Sequence, residues 1–173
     1  ENLPHPAREA DKVVRERHPK DPSPPPKPQR LDPTMSQQED DLPVNSPEMF
    51  GSADSSDSTD HATRIQTINA VAPQPDNARP GVKRLLQGDG ANLIVFNFCP
   101  GQTLPDHKAA HPITVQCLNG SLEFECGGER FPLKQGEVVH LRAHVPHAVY
   151  CPVDALSEGN ILLLSMLTGE QHS

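Results

Sequence analysis

The sequence GQTLPDHKAAHPITVQCLNG at residues 101–120, together with GEVVHLRAHVPH at residues 136–147, decides the fold. Each stretch starts with a glycine and carries histidines among apolar residues. Asn119-Gly120 is a strong hairpin signal, because both residues tolerate the positive φ angles that a two-residue turn requires. The two stretches therefore predict strands joined by tight turns, with histidines on or beside the strands.

Residues 82–168 continue this pattern, with short apolar runs between turn signals, as is typical of an all-β domain. Eight strands are predicted, at residues 83–87, 91–98, 112–118, 121–126, 130–134, 137–141, 147–151 and 161–167. The run ILLL at residues 161–164 does not alternate, so we expect it to be covered on both sides or to lie in a subunit interface. Eight short antiparallel strands predict a single jelly-roll barrel.

Residues 1–80 differ in composition from the predicted barrel, since they hold 14 of the 20 prolines and one aromatic residue, Phe50. Proline removes backbone donors, and the acidic, serine-rich part has too little apolar surface to offset the entropy of ordering. We therefore predict a long disordered tail over residues 1–80, with a short ordered segment at 62–72. The barrel then spans 81–168, and 169–173 form a C-terminal tail. The sequence leaves open whether residues 1–34, before Met35, are a processed remnant, an expression remnant or an overlong start.

The charge distribution excludes several classes of partner. The net charge of -8 divides into -5 for residues 1–80 and -3 for residues 81–173. Neither part has the basic field that attracts nucleic acid or an anionic membrane. The sequence has no apolar run of membrane-spanning length and no hydrophobic signal region at its start, so we expect a cytoplasmic protein.

The four cysteines lie on or beside predicted strands, and none belongs to a CxxC pair. They are Cys99, Cys117, Cys126 and Cys151. This placement favours buried free thiols over a zinc site or a disulfide framework.

Five of the nine histidines fall between residues 107 and 147. Imidazole is costly to bury without a partner, and it is a good ligand for several transition metals. Strand parity groups His147 with Val149 and Cys151, so we predict that His147 points into the barrel. His140 and His144 flank a loop at the predicted barrel mouth. We expect each to lie on the surface or to contact a metal ligand, rather than to be a ligand itself. A polar, partly wet barrel mouth without metal is the alternative reading of all five.

The glycine and histidine spacing resembles the two-part motif of the cupins, small antiparallel barrels whose inward histidines often hold a metal. The first part runs glycine, five residues, histidine, one residue, histidine, three or four residues, glutamate, six residues, glycine. Gly101, His107 and Gly120 match it in register. Ala109 and Ile113 stand where the second histidine and the glutamate belong, so two of the usual ligands are absent.

The second part of the motif is matched by Gly136 and His147. Arg142, His144 and Cys151 replace its proline, glycine and asparagine. The likeness covers about residues 82–168, and the chain resembles small single-domain bacterial cupins of unassigned role. It implies one double-stranded β-helix, the cupin form of the jelly roll, and it is more specific for fold than for chemistry.

The resemblance also implies a candidate metal site. His107 and His147 keep the family's positions, and His111 could enter the space left by Ala109 to complete a three-histidine centre. Asp106 and Gln116 are weaker candidates as oxygen ligands, although strand parity points Gln116 away from the interior. The expected cofactor is a divalent transition metal, Fe, Mn, Ni or Zn.

Three functions remain open, and the sequence does not decide whether the protein is an enzyme. The first is a module that binds a small molecule between the sheets, in a pocket lined by Val95, Val115, Phe124 and Val149. The second is a metal-dependent dioxygenase or isomerase that uses a His107, His111 and His147 centre. The third is a non-catalytic structural barrel. A homodimer is expected, because a non-alternating apolar end strand leaves an edge to cover.

Overall fold

Ten β-strands and one turn of 3-10 helix form the regular structure that a computed structural model describes, over residues 40–53 and 61–169. The strands are β1 (Val44–Asn45), β2 (Gly81–Gln87), β3 (Ala91–Phe98), β4 (Thr103–Ala109), β5 (Ile113–Asn119), β6 (Glu123–Cys126), β7 (Glu129–Pro132), β8 (Val139–Leu141), β9 (His147–Tyr150) and β10 (Asn160–Leu167). The 3-10 turn is Pro47–Phe50. Of the predicted tail over residues 1–80, residues 1–39 and 54–60 lie outside the described residues, as do residues 170–173 of the predicted C-terminal tail. In the described part of the chain, no helix has the length and apolar character needed to cross a membrane.

The strands form two five-stranded sheets, in the orders β1-β4-β9-β6-β7 and β2-β3-β10-β5-β8. Among the described residues, every strand pair is antiparallel except β1 with β4, which is parallel. Side chains from both sheets meet in one core, and its largest fully buried members include Phe98, Phe124, Ile113, Leu162 and Met166. The predicted all-β jelly roll is confirmed.

All eight predicted strands are present, but sequence patterning missed β1 and β4. β4 lacks a clear alternation because Pro105 and Asp106 are both exposed, one after the other, while Leu104 and Ala109 pack inward. The prediction of eight strands is therefore wrong by these two, and β4 is the strand that carries His107.

β10 lies at the centre of its sheet, between β3 and β5. Leu162 and Leu164 face the main core, whereas Ile161 belongs to a second cluster on the outer face of the sheet. Ile65 and Val71 pack against that outer cluster. The expected cover on both sides of β10 is thus present, and a segment of the same chain provides it. Because β10 is not an edge strand, it gives no support to a dimer, which stays a prediction.

Buried amide side chains, one on β3 and one in the turn between β3 and β4, hold this covering segment in place. Asn97 Nδ2 donates to the carbonyl of Val71 at 3.0 Å, and Gln102 Nε2 donates to the carbonyls of Gln74 and Asn77, both at 2.7 Å. Residues 65–71 form turns and irregular backbone rather than a helix or a strand. The boundary at residue 80, as a limit of independent folding, stays a prediction.

The four cysteines are free thiols, and Cys99, Cys117 and Cys151 are buried as predicted, whereas Cys126 is half-buried. Burial raises the pKa of the Cys151 thiol to about 11. These thiols therefore behave as small apolar residues of the core.

The Asn119-Gly120 turn packs directly on Asn160, which is fully buried. Asn160 Nδ2 donates to the carbonyls of Phe98 and Leu156 at 3.0 and 2.8 Å, and its Oδ1 accepts from the amide of Ser121 at 3.1 Å. Gly120 has a φ of 74°, and a Cβ there would lie 2.9 Å from Cα and Cγ of Asn160 and closer still to its Oδ1. The turn therefore requires glycine for two separate reasons.

We expect Gly120→Ala to destabilise the protein by about 2–4 kcal/mol, because left-handed strain adds to the steric clash with Asn160. Gly136→Ala is the matched control, since Gly136 has a φ of 87° and nothing within 4 Å of an added Cβ. It should lose only about 1 kcal/mol, the cost of strain alone. Denaturant unfolding measures both values, and equal losses would contradict the packing of the turn on Asn160.

Candidate functional site

The pairing of β4 with β9 places two histidines side by side inside the barrel. Leu104 pairs with Val149, the register then shifts, and His107 pairs with His147. Between these pairs, two residues of β4 face one residue of β9, which is the arrangement of a β-bulge. Pro105 is one of the two, and its missing N–H suits a position where the ladder is interrupted. The bulge thus aligns His107 with His147.

The two imidazole rings are in contact, with centroids 4.2 Å apart and planes inclined at 59°. Phe124 stacks on His147, with its centroid 5.6 Å away and nearly parallel. His147 is only 4% exposed. The position predicted for His147, inside the barrel, is therefore confirmed.

Each ring of this histidine pair is oriented by a backbone carbonyl two residues earlier. His107 Nδ1 bonds the carbonyl of Pro105 and His147 Nδ1 bonds that of Val145, both at 2.8 Å. A carbonyl only accepts, so each Nδ1 carries the proton and donates it. Within residues 40–53 and 61–169, neither Nε2 has a hydrogen-bond partner. Both Nε2 lone pairs are therefore available to a ligand.

Burial keeps the pair neutral. Loss of hydration, with a smaller contribution from the neighbouring His107, lowers the pKa of His147 to about 4. Loss of hydration also lowers the pKa of His107, although its bond to the Pro105 carbonyl opposes that shift. Two imidazolium ions in contact would repel each other, so near pH 7 both rings are bases.

The histidine pair lies on a cavity of about 20 Å³, enough for about one water molecule. Apolar side chains from both sheets line it, with Asn45 and Phe50 from the N-terminal part. Of the predicted lining residues, Val115 and Val149 are present. The prediction for Val95 is wrong, because Val95 belongs to the outer cluster with Ile161. The prediction for Phe124 is also wrong, because Phe124 stacks on the His147 ring and does not line the cavity.

The remaining predicted ligands do not join the pair. His111 lies in the turn between β4 and β5, near enough to Glu48 to help lower the pKa of that carboxyl. Asp106 is exposed and lines a surface groove with Glu125 and Cys126. Gln116 alternates with buried neighbours and faces away from the core, as parity predicted. The described residues contain no group of three His, Cys, Asp or Glu side chains that could hold a metal ion.

His140 and His144 lie on the exposed side, as predicted. His140 Nδ1 bonds the carbonyl of Ile113 at 2.9 Å. His144 has a φ of 64°, and its amide donates to the carbonyl of Ala109 at 2.8 Å. The backbone at His144 therefore keeps the left-handed conformation for which the cupin motif has glycine.

Sequence patterning missed Asn45, Phe50 and Arg84 as parts of this region. Phe50 sits edge-to-face on Phe96, with centroids 5.8 Å apart, and it reaches the cavity from outside the predicted barrel. The available signal was compositional, since Phe50 is the one aromatic residue of the first 80. A large apolar side chain isolated in a polar stretch has to find its partners elsewhere in the fold.

Comparison with known proteins agrees with this architecture. Residues 94–157 match the family model described as a cupin domain. An RmlC-like cupin protein from Desulfovibrio desulfuricans is similar in structure, with a TM-score of 0.53 and 21% identity over 64% of this chain and 100% of the other. A double-stranded β-helix protein from Klebsiella pneumoniae has a TM-score of 0.52 and 19% identity, over 64% and 95% of the two chains. No curated protein matches the chain.

The motif, the two-sheet barrel and the family match define one class of protein. The chain contains a cupin domain, at residues 94–157. At these identities the structural neighbours establish the fold, and the chemistry of the site has to be argued from this chain's own residues.

We expect the metal-free protein, held in EDTA, to lose stability as the pH falls from about 6.5 to about 4. The unfolded chain protonates His147 near the ordinary pKa of 6.5, whereas the folded protein does so only near 4. The unfolded state therefore binds more protons in this range, and the folded state loses about 3 kcal/mol relative to it. Denaturant unfolding at several pH values measures the loss.

Two variants show whether His147 causes this loss of stability. His147→Gln should lack this part of the pH dependence, and His140→Gln, which changes an exposed histidine, should keep it. An identical pH dependence in the wild type and both variants would show that His147 is not buried as a neutral base.

Proposed function

We propose that the protein is a cupin module that binds a small molecule through a divalent transition metal held by His107 and His147. The observation that supports this proposal is the orientation of the pair. Both protons sit on Nδ1, which leaves both Nε2 lone pairs free on two rings that line the cavity. A histidine whose other ring nitrogen donates to a carbonyl is the usual form of a metal-bound imidazole.

The donor set fits a transition metal as two of its ligands. Imidazole suits Zn, Fe and Ni, and its nitrogen binds at about 2.0–2.1 Å, so rings with centroids 4.2 Å apart are close enough to share one ion. Their neutrality near pH 7 removes competition from protons. Such an ion would offer open coordination positions to oxygen or nitrogen donors of a small molecule.

The residues of this chain contribute orientation and exclusion of water. Phe124 stacks on His147 and limits rotation of that ring, while the carbonyls of Pro105 and Val145 hold both tautomers. Apolar walls from the two sheets surround the remaining space. Few polar groups within apolar walls are the type of lining found in binding sites for organic molecules, but a space of about 20 Å³ holds only about one water until part of its wall moves.

A dioxygenase or isomerase would need a third protein ligand, and the sequence offers His111 as the candidate. Within the described residues, His111 does not form a group of three with the pair. The binding module needs only two protein ligands, because the small molecule and water can fill the other positions. The geometry therefore favours binding over catalysis.

We expect protein purified without a polyhistidine tag and reconstituted with Zn²⁺, Fe²⁺, Mn²⁺ or Ni²⁺ to retain metal after desalting. His107→Ala and His147→Ala should each lower the retained metal by roughly tenfold or more, because each removes one of two protein ligands. His111→Ala is the matched control and should retain as much as the wild type. Elemental analysis measures the metal, and circular dichroism checks that each variant folds.

Two results would contradict the proposal. Negligible metal in the reconstituted wild type would leave a metal-free barrel. If His111→Ala lost as much retained metal as the other two variants, His111 would be a third ligand, and a metal-dependent enzyme would become the better explanation.

A further inference from the structure

Residues 43–51, which we call the plug, close the cavity that contains the histidine pair. β1 runs parallel to β4, and the amides of Lys108 and Ala110 donate to the carbonyls of Pro43 and Asn45, both at 2.8 Å. Asn45 and Phe50 contribute to the cavity wall. The plug thus covers the site with one amide and one aromatic ring.

The cavity beneath the plug cannot admit an organic molecule as it stands, since about 20 Å³ accommodates little more than one water. All its other lining residues belong to strands β3, β4, β5, β9 and β10, and of these only β4 depends on the plug for one of its two neighbouring strands. The plug has only a two-residue ladder on β4, and Val44 and Met49 are 43% and 63% exposed. It is therefore the part of the wall that can leave at the lowest cost.

Arg84 fastens the far end of the plug. Its side chain is only 5% exposed, its Nε donates to Asn92 Oδ1 at 3.2 Å, and its Nη1 donates to the carbonyl of Gly51 at 2.9 Å. In the described residues the guanidinium forms no salt bridge with a carboxylate. Glu48 of the plug lies near enough for Arg84 to help lower the pKa of that carboxyl.

Removal of the plug therefore takes from Arg84 both an acceptor and a nearby negative charge. Asn92 still accepts from Nε and Nη2, but Nη1 of this buried side chain is left without its acceptor, which is unfavourable. A molecule that replaces the plug avoids this penalty only if it offers an acceptor of its own. A carboxylate is the best match, because it accepts two parallel N–H bonds from one guanidinium.

We propose that the plug covers a latent site for a small molecule with an apolar body and a carboxylate. The apolar body takes the place of Phe50, and the carboxylate takes the place of the Gly51 carbonyl at Arg84. The inference names the ligand class for the cavity of the proposed function and rests on it for the site, but binding at Arg84 requires no metal.

Phenylacetate serves as the probe and benzyl alcohol as its uncharged counterpart, each titrated by NMR into the full chain in EDTA. Phe50→Ala removes the ring that blocks the site, whereas Met49→Ala is the matched control because its side chain points to solvent. Phenylacetate should bind Phe50→Ala roughly tenfold more tightly than the wild type or Met49→Ala, since the plug no longer competes. The affinity for benzyl alcohol should increase less in Phe50→Ala than the affinity for phenylacetate. In the double variant Phe50→Ala with Arg84→Met, the preference for the carboxylate should be lost.

Equal affinity in the wild type, Phe50→Ala and Met49→Ala would overturn the proposal, as would a carboxylate preference that survives Arg84→Met. Binding of phenylacetate only after a metal is added would also overturn it, while supporting the metal-dependent function. If the protein bound neither phenylacetate, nor benzyl alcohol, nor a metal ion, both the carboxylate site and the metal-dependent function would be rejected.

Hydrogen exchange in the wild type tests the plug without any change at Arg84. The Ala110 amide, which bonds the plug, should exchange roughly tenfold or more faster than the Leu164 amide in the central strand β10, because it opens locally. Equal rates for the two amides would show that the plug opens only when the whole barrel unfolds.

Discussion

The contact between His107 and His147 is the constraint on which the rest of the site depends. His147 is buried and His107 is half-buried, and two such rings with centroids 4.2 Å apart have to be neutral, each with its proton on a partner. The backbone carbonyls at Pro105 and Val145 provide that partner locally, at the bulge of β4 and at the start of β9. The same strand geometry that closes the barrel therefore fixes two basic nitrogens inside it.

Much of the barrel could be predicted from the sequence because its strands alternate and its turns use glycine where φ is positive. Gly101, Gly120 and Gly136 all adopt the left-handed conformations that the motif indicates. β4 could not be found in this way, since the bulge at Pro105 breaks the alternation on which strand prediction rests. For the same reason the sequence identified His107 through motif spacing rather than through its strand.

The candidate site was predicted in part. His147 followed from strand parity, and its pairing with His107 followed from the motif. His111 was proposed to fill the space left by Ala109, but residue spacing cannot determine where a turn directs a side chain. Long-range contacts were equally out of reach: Phe50 enters from a polar stretch, and Arg84 is held by the carbonyl of Gly51, 33 residues away. Contacts of this kind depend on the folded arrangement of segments that carry no local pattern.

The tautomer of the histidine pair tests the central claim most directly. Nitrogen-15 NMR of the imidazole side chains in metal-free protein near pH 7 distinguishes a protonated ring nitrogen from a bare one. We predict that His107 and His147 both carry the proton on Nδ1, with Nε2 bare, and that added Zn²⁺ shifts the Nε2 signals of these two residues and not those of His111. A proton on Nε2 of either ring would contradict the account, because that nitrogen would then be unavailable to any metal.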